Sequence, residues 1–532
     1  MKKFLIPADK NEIENGLETI RLELKKYGFG SEKTEKMMPT VREAIIKVTD
    51  AATDGASIEI VIKRLFATAT VIVSAEGREL KPKTDDRLRA MILSSDAFRC
   101  KYTRRGDVNK ISVEIGSKRN ILALSSLVAL LMGIVAACLI DMFLPEDVIE
   151  GIGQYVLIPI QTFTLNALKL VTAPAVLFAI MTFVADYISI ADTDRINRKI
   201  ILCYAIGAML AVVIAYVIVY AINPLTELEN TLGAALLDGV RIKQADSVFD
   251  IFKKMVPDNM VIPFLNTDSV QLMLLAVLCG VGIGKAGKSS GRIKRAADTL
   301  NDFFSALVNI VNNLMPYAIF FIITMMILSF GMQALIVPAT VIVISVLGFA
   351  AVFVLHMIIV AIKTKLNPFI LMKKVLPCMK TAFFDGSSIS AISETRKCCE
   401  EKLGISSQIT AFSIPFGAMS NLEGNCVYLS VAGLILSRLC GIDLFGTVGI
   451  ELAVLVVVLS IGSPITPGSA MLALTLIMSQ MGIPIAIICL LLGVNIFVEM
   501  MLAANNVFCD TALALCVAKK ENMLDTDVYN KL

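Results

Sequence analysis

Three acidic side chains in the strongly apolar C-terminal part of this chain are candidates for chemistry. Glu423 lies in the sequence SNLEGN, and Glu499 and Asp510 lie in the last apolar stretch. On a helix, Asn506 and Asp510 fall within about 20° of Glu499, so these three side chains share one stripe. A carboxylate in the middle of a membrane span costs roughly 3 kcal/mol and by default marks a functional site. The spacing therefore predicts a polar site on one face of the last helix.

The charge balance around these acids indicates what they bind. Arg438 is the only Lys or Arg at positions 403–518. The acids therefore need a bound cation, a proton or a cationic group on a substrate. Hard cations take oxygen ligands from carboxylates, carbonyls and amides, and Asn421, Asn425 and Asn506 supply amides. The alternative is that the acids are simply protonated and packed, with no bound ion.

Two polar interruptions break the apolar pattern ahead of the two last apolar helices. They are rich in Ser, Gly and Pro, at 385–393 (DGSSISAIS) and 460–469 (SIGSPITPGS). Irregular backbone at membrane depth is tolerated only where protein buries it or water reaches it. Paired interruptions of this kind point to a transporter site built from broken helices. The alternative is a pair of ordinary turns outside the membrane.

The elements that must position these residues are predicted to be membrane spans. Hydrophobic residues make up 56% of the 532 and charged residues only 18%, and the mean hydropathy is +0.75; soluble chains carry about 25% charged residues. Positions 303–362 contain no Lys, Arg, Asp or Glu, a length that suits two crossings of about 20 residues each. We predict spans near 121–143, 160–185, 200–222, 269–285, 303–329 and 334–362, followed by the interrupted region and a last span at 488–517.

Basic residues in the short loops orient these spans. They cluster at 118–119, 195–199, 285–295 and 363–374, which all fall on one side, whereas the connection at 145–150 is acidic. Because short loops rich in Lys and Arg stay in the cytoplasm, we predict a multi-pass protein of the cytoplasmic membrane. Its N-terminus and a tail at 521–532 are predicted to be cytoplasmic. The basic residues form no run, so nucleic acid is not an expected partner.

Residues 1–117 have the pattern of a soluble α+β domain. KKFLIPAD and ISVEI are predicted strands, SIEIVIKRLFATATVIVSAEG is a predicted strand pair, and helices are predicted at 11–27, 40–52 and 87–93. The pattern weakly resembles the ATP-binding fold of anti-sigma-factor kinases and histidine kinases, through VREAIIKVTDAA and VSAEGRE. Lys47 stands at the magnesium-binding asparagine, and only Gly77 of the DxGxG loop is present, so the close backbone approach of a phosphate loop is not supported. We expect a degenerate regulatory or docking domain rather than an ATP site.

The region 121–520 resembles the dicarboxylate/amino acid:cation symporter family, also called the glutamate transporter family. The resemblance runs in order through LKLVTAPAVLFAIMTFVADY, IFKKMVPDN, NNLMPYAIF, GSSIS, IPFGAMSNLEGNCVY, SIGSPITPGSAML and VEMMLAANNVFCDTALA. It implies that the domain at 118–520 has eight transmembrane helices plus two re-entrant hairpins and works as an elevator-type transporter in a homotrimer. The implied activity is secondary active symport of a small-molecule substrate with sodium or protons, and no enzymatic reaction.

The resemblance also implies the site residues. Substrate-binding positions are Ser387 and Ser388 in the first hairpin, Ser463, Pro467 and Gly468 in the second hairpin, and Glu499 and Asn506 in the last helix. Glu499 corresponds to the acid that receives the substrate amino group. Cation-binding (metal) positions are Asn421, Glu423, Asn506 and Asp510.

Departures from the family pattern bear on the substrate and the ion. Leu502 and Gly386 stand where arginines are expected, and YAIGA near Tyr204 lacks a Thr-Ser pair that helps to bind sodium. A substrate side-chain carboxylate would be unpaired here, at a high desolvation cost. We therefore predict a neutral small amino acid in preference to a dicarboxylate. The coupling ion is sodium or a proton, the latter carried on Glu423 or Glu499.

Two further interpretations stay open on the sequence. His356, the only histidine, lies among apolar residues and is interpreted as a hydrogen-bonded core residue, with a proton relay as the alternative. The twelve cysteines form no CxxC pair, which argues against a zinc site or a disulfide framework. The alternative function is a transporter-like membrane sensor that signals through its N-terminal domain.

Overall fold

The structure is a computed structural model, and it describes residues 2–7, 13–26, 31–53, 57–65, 68–78, 80, 98–105, 107–115, 118–191, 195–222, 256–265, 268–285, 291–420, 422–442, 444, 446–461, 468–483 and 485–531. The chain divides into two compact units, Met1–Ile121 and Leu122–Leu532.

The described part of the N-terminal unit contains one antiparallel sheet and two helices. Its elements are β1 (Lys2–Pro7), α1 (Ile13–Lys26), α2 (Ser31–Ala51), β2 (Ser57–Leu65), β3 (Thr68–Glu76), β4 (Phe98–Arg105) and β5 (Val108–Ile115). The strand order is β1-β2-β3-β5-β4. Ile58, Ile60 and Ile62 are fully buried at alternate positions of β2, since alternate side chains of a strand point to one face. That face packs against the buried apolar side chains of α1 and α2.

Gly77 has a packing role in this unit. It pairs with Ala52, just after α2, and a Cβ at Gly77 would lie 1.9 Å from the carbonyl oxygen of Ala51. The close approach of the two backbones therefore requires glycine at this position whether or not a phosphate is bound. The structure also places β4 at an edge where no strand was predicted, and the helix predicted at 87–93 lies outside the described residues.

The C-terminal unit is helical. Its helices are α3 (Lys118–Phe143), α4 (Glu146–Ile152), α5 (Ile158–Ala191), α6 (Arg195–Ile222), α7 (Ile262–Leu265), α8 (Ser269–Lys285), α9 (Gly291–Phe330), α10 (Ile336–Thr364), α11 (Pro368–Asp385), α12 (Ile392–Lys397), α13 (Ser407–Ser420), α14 (Leu422–Leu439), α15 (Thr447–Ile461), α16 (Ser469–Gln480), α17 (Ile485–Lys520) and α18 (Thr526–Asn530).

Several of these helices have the length and composition of membrane spans. Within the described residues, six segments are long and apolar enough to cross a membrane: Leu124–Phe143, Glu146–Ile188, Arg195–Ile222, Gly291–Phe330, Met332–Thr364 and Ile487–Lys520. The prediction of a helical membrane protein with several apolar helices is confirmed. The span predicted at 269–285 is α8, a shorter apolar helix of 17 residues.

Both predicted interruptions coincide with breaks between helices. Asn367 caps α11 by accepting a hydrogen bond from the Phe369 N–H at 3.0 Å, which is the usual role of asparagine before a proline at the first helical position. α11 ends at Gly386, whose φ of 57° is left-handed, a conformation that favours glycine. The chain then continues through short helical turns into α12. At the second interruption, α15 ends at Ile461 and α16 begins after Gly468, whose φ is 79°.

The predicted tail at 521–532 packs back against the first half of α11. Tyr529 is fully buried, and its hydroxyl donates to the carbonyl oxygen of Asn367 at 2.8 Å. The Lys374 ammonium group donates to the carbonyl oxygens of Lys402, at 2.8 Å, and of Tyr529, at 2.7 Å. Glu521 forms an ion pair with Lys199 at the start of α6, and this contact lowers the pKa of the Glu521 carboxyl group.

Candidate functional site

Glu499 lies on α17 and contacts the end of the second interruption at Gly468. One carboxylate oxygen of Glu499 accepts the backbone N–H of Gly468 at 3.0 Å, and the other accepts the Asn495 amide at 3.1 Å. The Tyr428 hydroxyl donates to the amide oxygen of Asn495 at 3.0 Å. Tyr428, Asn495 and Glu499 are all buried. Two predicted substrate-binding residues, Gly468 and Glu499, are therefore in direct contact, and Asn495 and Tyr428 hold the carboxylate from behind.

A small pocket of about 40 Å³ borders this carboxylate. Its lining is apolar except for a few polar side chains, a combination typical of small-molecule sites. The lining residues are Ser126, Leu168, Asn312, Met315, Ile319, Gly468, Met471, Leu492, Asn495, Ile496 and Glu499. Among the described residues of this lining, Glu499 carries the one acidic group and none carries a basic side chain.

Asn506 joins α17 to the start of α14. Its side-chain oxygen accepts the backbone N–H of Gly424 at 2.8 Å. A Cβ at Gly424 would lie 2.7 Å from that oxygen and 2.9 Å from the Cγ of Leu502. The glycine of NLEGN is thus required by the close approach of α17. Leu502, which stands where the family has an arginine, is buried against the same glycine.

Glu423 and His356 face each other in the interior. The exposed fraction of each residue is 2%, and His356 Nε2 lies 3.3 Å from Glu423 Oε2. The other oxygen, Oε1, lies 2.0 Å from the position of a Cβ at Gly207, so α6 can approach only because residue 207 is glycine. Neither carboxylate oxygen meets a regular hydrogen-bond donor among the described residues. The Cys509 thiol also adjoins this pair, 3.7 Å from His356 Nδ1.

The hydrogen bond of His356 to the backbone decides the chemistry of this pair. Nδ1 lies 3.0 Å from the carbonyl oxygen of Val352, which can only accept, so Nδ1 carries a hydrogen. In a neutral imidazole Nε2 is then an acceptor and would face the carboxylate of Glu423, which is also an acceptor. A proton or another cation between these two atoms removes that conflict. His356 is thus both a hydrogen-bonded core residue and the partner of a predicted cation-binding acid.

Asp510 lies next to this pair. The Cβ that Gly417 lacks would be 2.3 Å from Asp510 Oδ1 and 2.4 Å from the Tyr204 hydroxyl, so the two side chains meet beside this glycine. The Tyr204 hydroxyl also donates to the carbonyl oxygen of Ser413 at 3.1 Å. Asp510 and Glu423 are close enough to interact electrostatically. The structure therefore brings two of the predicted cation-binding acids together.

The serines of the first interruption lie against α13. The Ser388 hydroxyl is buried and donates to the carbonyl oxygen of Ala418 at 3.1 Å, and Ser387 is half-buried. Gly386, which replaces an arginine of the family pattern, has the left-handed φ described above, so it also serves as the end of α11. Asn421, Ser463 and Pro467 lie outside the described residues.

Several residues around Glu499 and around the His356–Glu423 pair were not predicted from the sequence. Asn495 precedes Glu499 by one helical turn, and Cys509 adjoins Asp510, so the stripe on the last helix could have suggested both. Tyr428, Tyr204 and Gly207 belong to other helices. Tyr204 and Gly207 lie in YAIGA, and Tyr428 lies five residues after Glu423 in IPFGAMSNLEGNCVY, so the motifs pointed to these regions. Which of their side chains reach the site depends on how the helices pack.

Comparison with known proteins now identifies the chain's family. The model of the sodium:dicarboxylate symporter family matches residues 122–520, which include both interruptions and all the site residues described in this subsection. The chain belongs to this family. The prediction of a secondary active symporter, and not an enzyme, is thereby confirmed. The family also supports coupling to a cation and residence in a membrane.

Relatives within the symporter family are distant. The chain is 23% identical over 375 residues to a proton/sodium-glutamate symport protein of Bacillus caldotenax, covering 69% of this chain and 89% of that protein. It is 24% identical over 463 residues to excitatory amino acid transporter 3 of Oryctolagus cuniculus, covering 76% and 87%. It is 26% identical over 312 residues to the L-cystine uptake protein TcyP of Bacillus thuringiensis, covering 55% and 67%. The names of these relatives differ in substrate, so family membership leaves the substrate open.

Proposed function

We propose that this symporter carries a small neutral amino acid together with a proton. The observation that carries the substrate assignment is the contrast between Glu499 and Leu502 on one face of α17. Glu499 supplies a carboxylate for the amino group of a substrate, whereas Leu502, one turn further on, is a buried apolar side chain at the position where the resemblance implies an arginine. A neutral amino acid presents a cationic amino group but no second carboxylate, so it matches this pair.

A dicarboxylate fits the same residues poorly. Its second carboxylate would have to leave water without a positive partner, since the residue in the family's arginine position is apolar and Gly386 offers no side chain. The desolvation of an unpaired charge costs several kcal/mol.

The proton assignment rests on the His356–Glu423 pair. Among the described residues, the charged or titratable side chains that interact with it are Cys509 and Asp510 from α17, Tyr204 from α6 and Cys426 from α14. None of these supplies a positive charge, and Nε2 faces the carboxylate at 3.3 Å. A proton shared by the pair satisfies both atoms. We therefore propose that Glu423 and His356 load the coupling proton, next to Asp510.

The topology that we propose follows from the family resemblance and from the helix bounds. Eight crossings correspond to α3, α5, α6, α8, α9, α10, the α13–α14 pair and α17. The two re-entrant hairpins correspond to α11–α12 and α15–α16. We further propose a homotrimer, with the N-terminal unit and the C-terminal tail in the cytoplasm. Residues 1–117 are proposed to form a regulatory domain.

Uptake by the purified protein in liposomes tests the substrate and the ion together. Labelled alanine, serine, glutamate and succinate are each offered under an inward proton gradient, an inward sodium gradient or no gradient. We expect uptake of alanine or serine driven by the proton gradient. Faster uptake of glutamate or succinate contradicts the substrate assignment, and uptake that follows only the sodium gradient contradicts the proton. Saturable binding without uptake under any gradient supports a sensor, and repeating the assay without residues 1–117 tests the regulatory domain.

A further inference from the structure

We infer that His356, Glu423 and Cys509 form a site for a soft divalent cation, represented by Zn²⁺, which occupies the place of the coupling proton. The binding site follows from the geometry of the three side chains. The expected consequence, inhibition of uptake, rests in addition on the proposed function.

The three side chains supply one nitrogen, one oxygen and one sulfur ligand. These ligand atoms all lie within 4.8 Å of one another, and the three residues come from α10, α14 and α17. A tetrahedral zinc ion with bonds of about 2.0 Å to nitrogen and oxygen and about 2.3 Å to sulfur separates its ligand atoms by roughly 3.3–3.8 Å. His356 Nε2 and Glu423 Oε2, at 3.3 Å, already have this spacing. The Cys509 sulfur lies within 4.8 Å of the other two ligand atoms, so it must approach them by a side-chain movement when the ion binds.

The orientation of the imidazole ring fits a metal ligand. His356 Nδ1 is held by the carbonyl oxygen of Val352 at 3.0 Å, so Nε2 is the nitrogen that is directed at Glu423. Histidines that bind metals usually donate their other N–H to a carbonyl or a carboxylate in this way, which fixes the tautomer and the ring. A neighbouring residue on α10 therefore already provides the support that such a ligand needs.

Glu423 supplies the second, independent indication of a ligand. Its carboxylate is 2% exposed, and neither oxygen meets a regular hydrogen-bond donor among the described residues. Gly207 leaves no side chain in front of Oε1. A buried carboxylate of this kind must be neutralised, either by a proton on Glu423 or His356 or by a bound cation that takes the place of that proton.

The donor set selects the class of cation. Thiolate and imidazole ligands favour Zn²⁺ and other soft or borderline ions, whereas Na⁺ and Ca²⁺ prefer oxygen ligands. When the ion binds, the Cys509 thiol releases its proton to water and the thiolate bonds to the metal. The two negative ligands, Glu423 and Cys509, then balance the two charges of the ion. The sequence argument against zinc rests on the absence of a CxxC pair. It does not reach this site, because His356, Glu423 and Cys509 are distant in sequence.

Binding of metal alone to the full-length protein, prepared without a polyhistidine tag, tests the site. Cd²⁺ is the spectroscopic probe, because cadmium bound to a thiolate has an ultraviolet charge-transfer absorption. We expect saturation at one ion per chain, at least tenfold weaker binding in Cys509→Ser and His356→Gln, and no change in Cys516→Ser, a half-buried thiol two turns along the same helix. No saturable absorption in the unmodified protein, or absorption that persists in Cys509→Ser, overturns the proposal.

X-ray absorption of the zinc-loaded, unmodified protein tests the ligands without any variant. We expect a shell with one sulfur and at least one imidazole nitrogen, and a shell of oxygen alone overturns the site. Inhibition is measured as uptake with and without Zn²⁺, each variant relative to its own zinc-free rate. We expect inhibition of at least tenfold in the unmodified protein and in Cys516→Ser. If metal binds as expected but the zinc-free protein shows no uptake, the proposed function fails while the metal site stands.

Discussion

The buried acids Glu499 and Glu423, which lie on either side of the contact between Asn506 and Gly424, differ in the groups that surround their carboxylates. Glu499 receives hydrogen bonds from two neutral donors, the Gly468 amide and Asn495, and it borders a cavity. Glu423 has no such donors in the described structure and faces His356 in a closed interior. Neutral donors stabilise a carboxylate as an anion, so Glu499 suits the amino group of a substrate. A carboxylate opposite an imidazole needs a proton, so Glu423 suits coupling.

The largest expected effect comes from Glu423→Gln. An amide cannot carry the coupling proton, so we expect uptake driven by a proton gradient to fall at least 100-fold. The measurement is gradient-driven uptake in liposomes. The matched control is Glu451→Gln, which alters another buried acid. Glu451 is hydrogen-bonded to Gln480 and belongs neither to the surroundings of Glu499 nor to the His356–Glu423 pair. Equal losses in the two variants contradict a special role for Glu423.

Glu499→Gln separates the roles of the two acids. A hydrogen bond to a charged group contributes about 1.5–3 kcal/mol, which corresponds to a rise in KM of roughly 10- to 150-fold. We expect the dependence of uptake on the proton gradient to survive at saturating substrate. If instead the gradient dependence disappears and KM is unchanged, the assignment of substrate to Glu499 and proton to Glu423 is reversed.

Leu502→Arg tests why the substrate is neutral. A guanidinium group in this position can pair with a second carboxylate, so we expect the preference for serine over aspartate to fall by about tenfold, which is roughly 1.4 kcal/mol. Competition between labelled serine and unlabelled aspartate measures this change. Leu502→Met keeps an apolar side chain of similar volume and should leave the preference as it is. An unchanged preference in the arginine variant indicates that another residue selects the substrate.

Tyr428→Phe makes the smallest change. It removes the hydroxyl that holds Asn495, and one hydrogen bond contributes about 0.5–1.5 kcal/mol. We expect KM to rise by roughly 2- to 10-fold with little effect on the maximal rate. Tyr216→Phe is the control, because the Tyr216 hydroxyl donates to Gly449 and is remote from Glu499 in the hydrogen-bond network. A similar KM change in both variants indicates that the loss of either buried hydroxyl weakens helix packing in general, and that the contact with Asn495 has no particular role.

Much of the architecture could be predicted because its signals are local. Uncharged stretches of sufficient length determine where apolar helices lie, and the Ser- and Gly-rich run at 385–393 predicts the interruption that follows α11. The stripe of Glu499, Asn506 and Asp510 follows from helical periodicity alone. The edge strand β4 was missed although FRCKYT alternates apolar with basic or polar residues, the pattern of a strand with one buried face.

The sequence by itself determined the membrane character, the places of the two interruptions, the acidic residues and the family to which they belong. Only the tertiary structure decided which residue each acid meets. His356 and Glu423 lie on α10 and α14, and Gly207 on α6, so their contact depends on how three helices pack. Hydropathy and periodicity are properties of neighbouring residues, whereas the position of a proton or a metal ion depends on distances of 3–4 Å between atoms of distant segments.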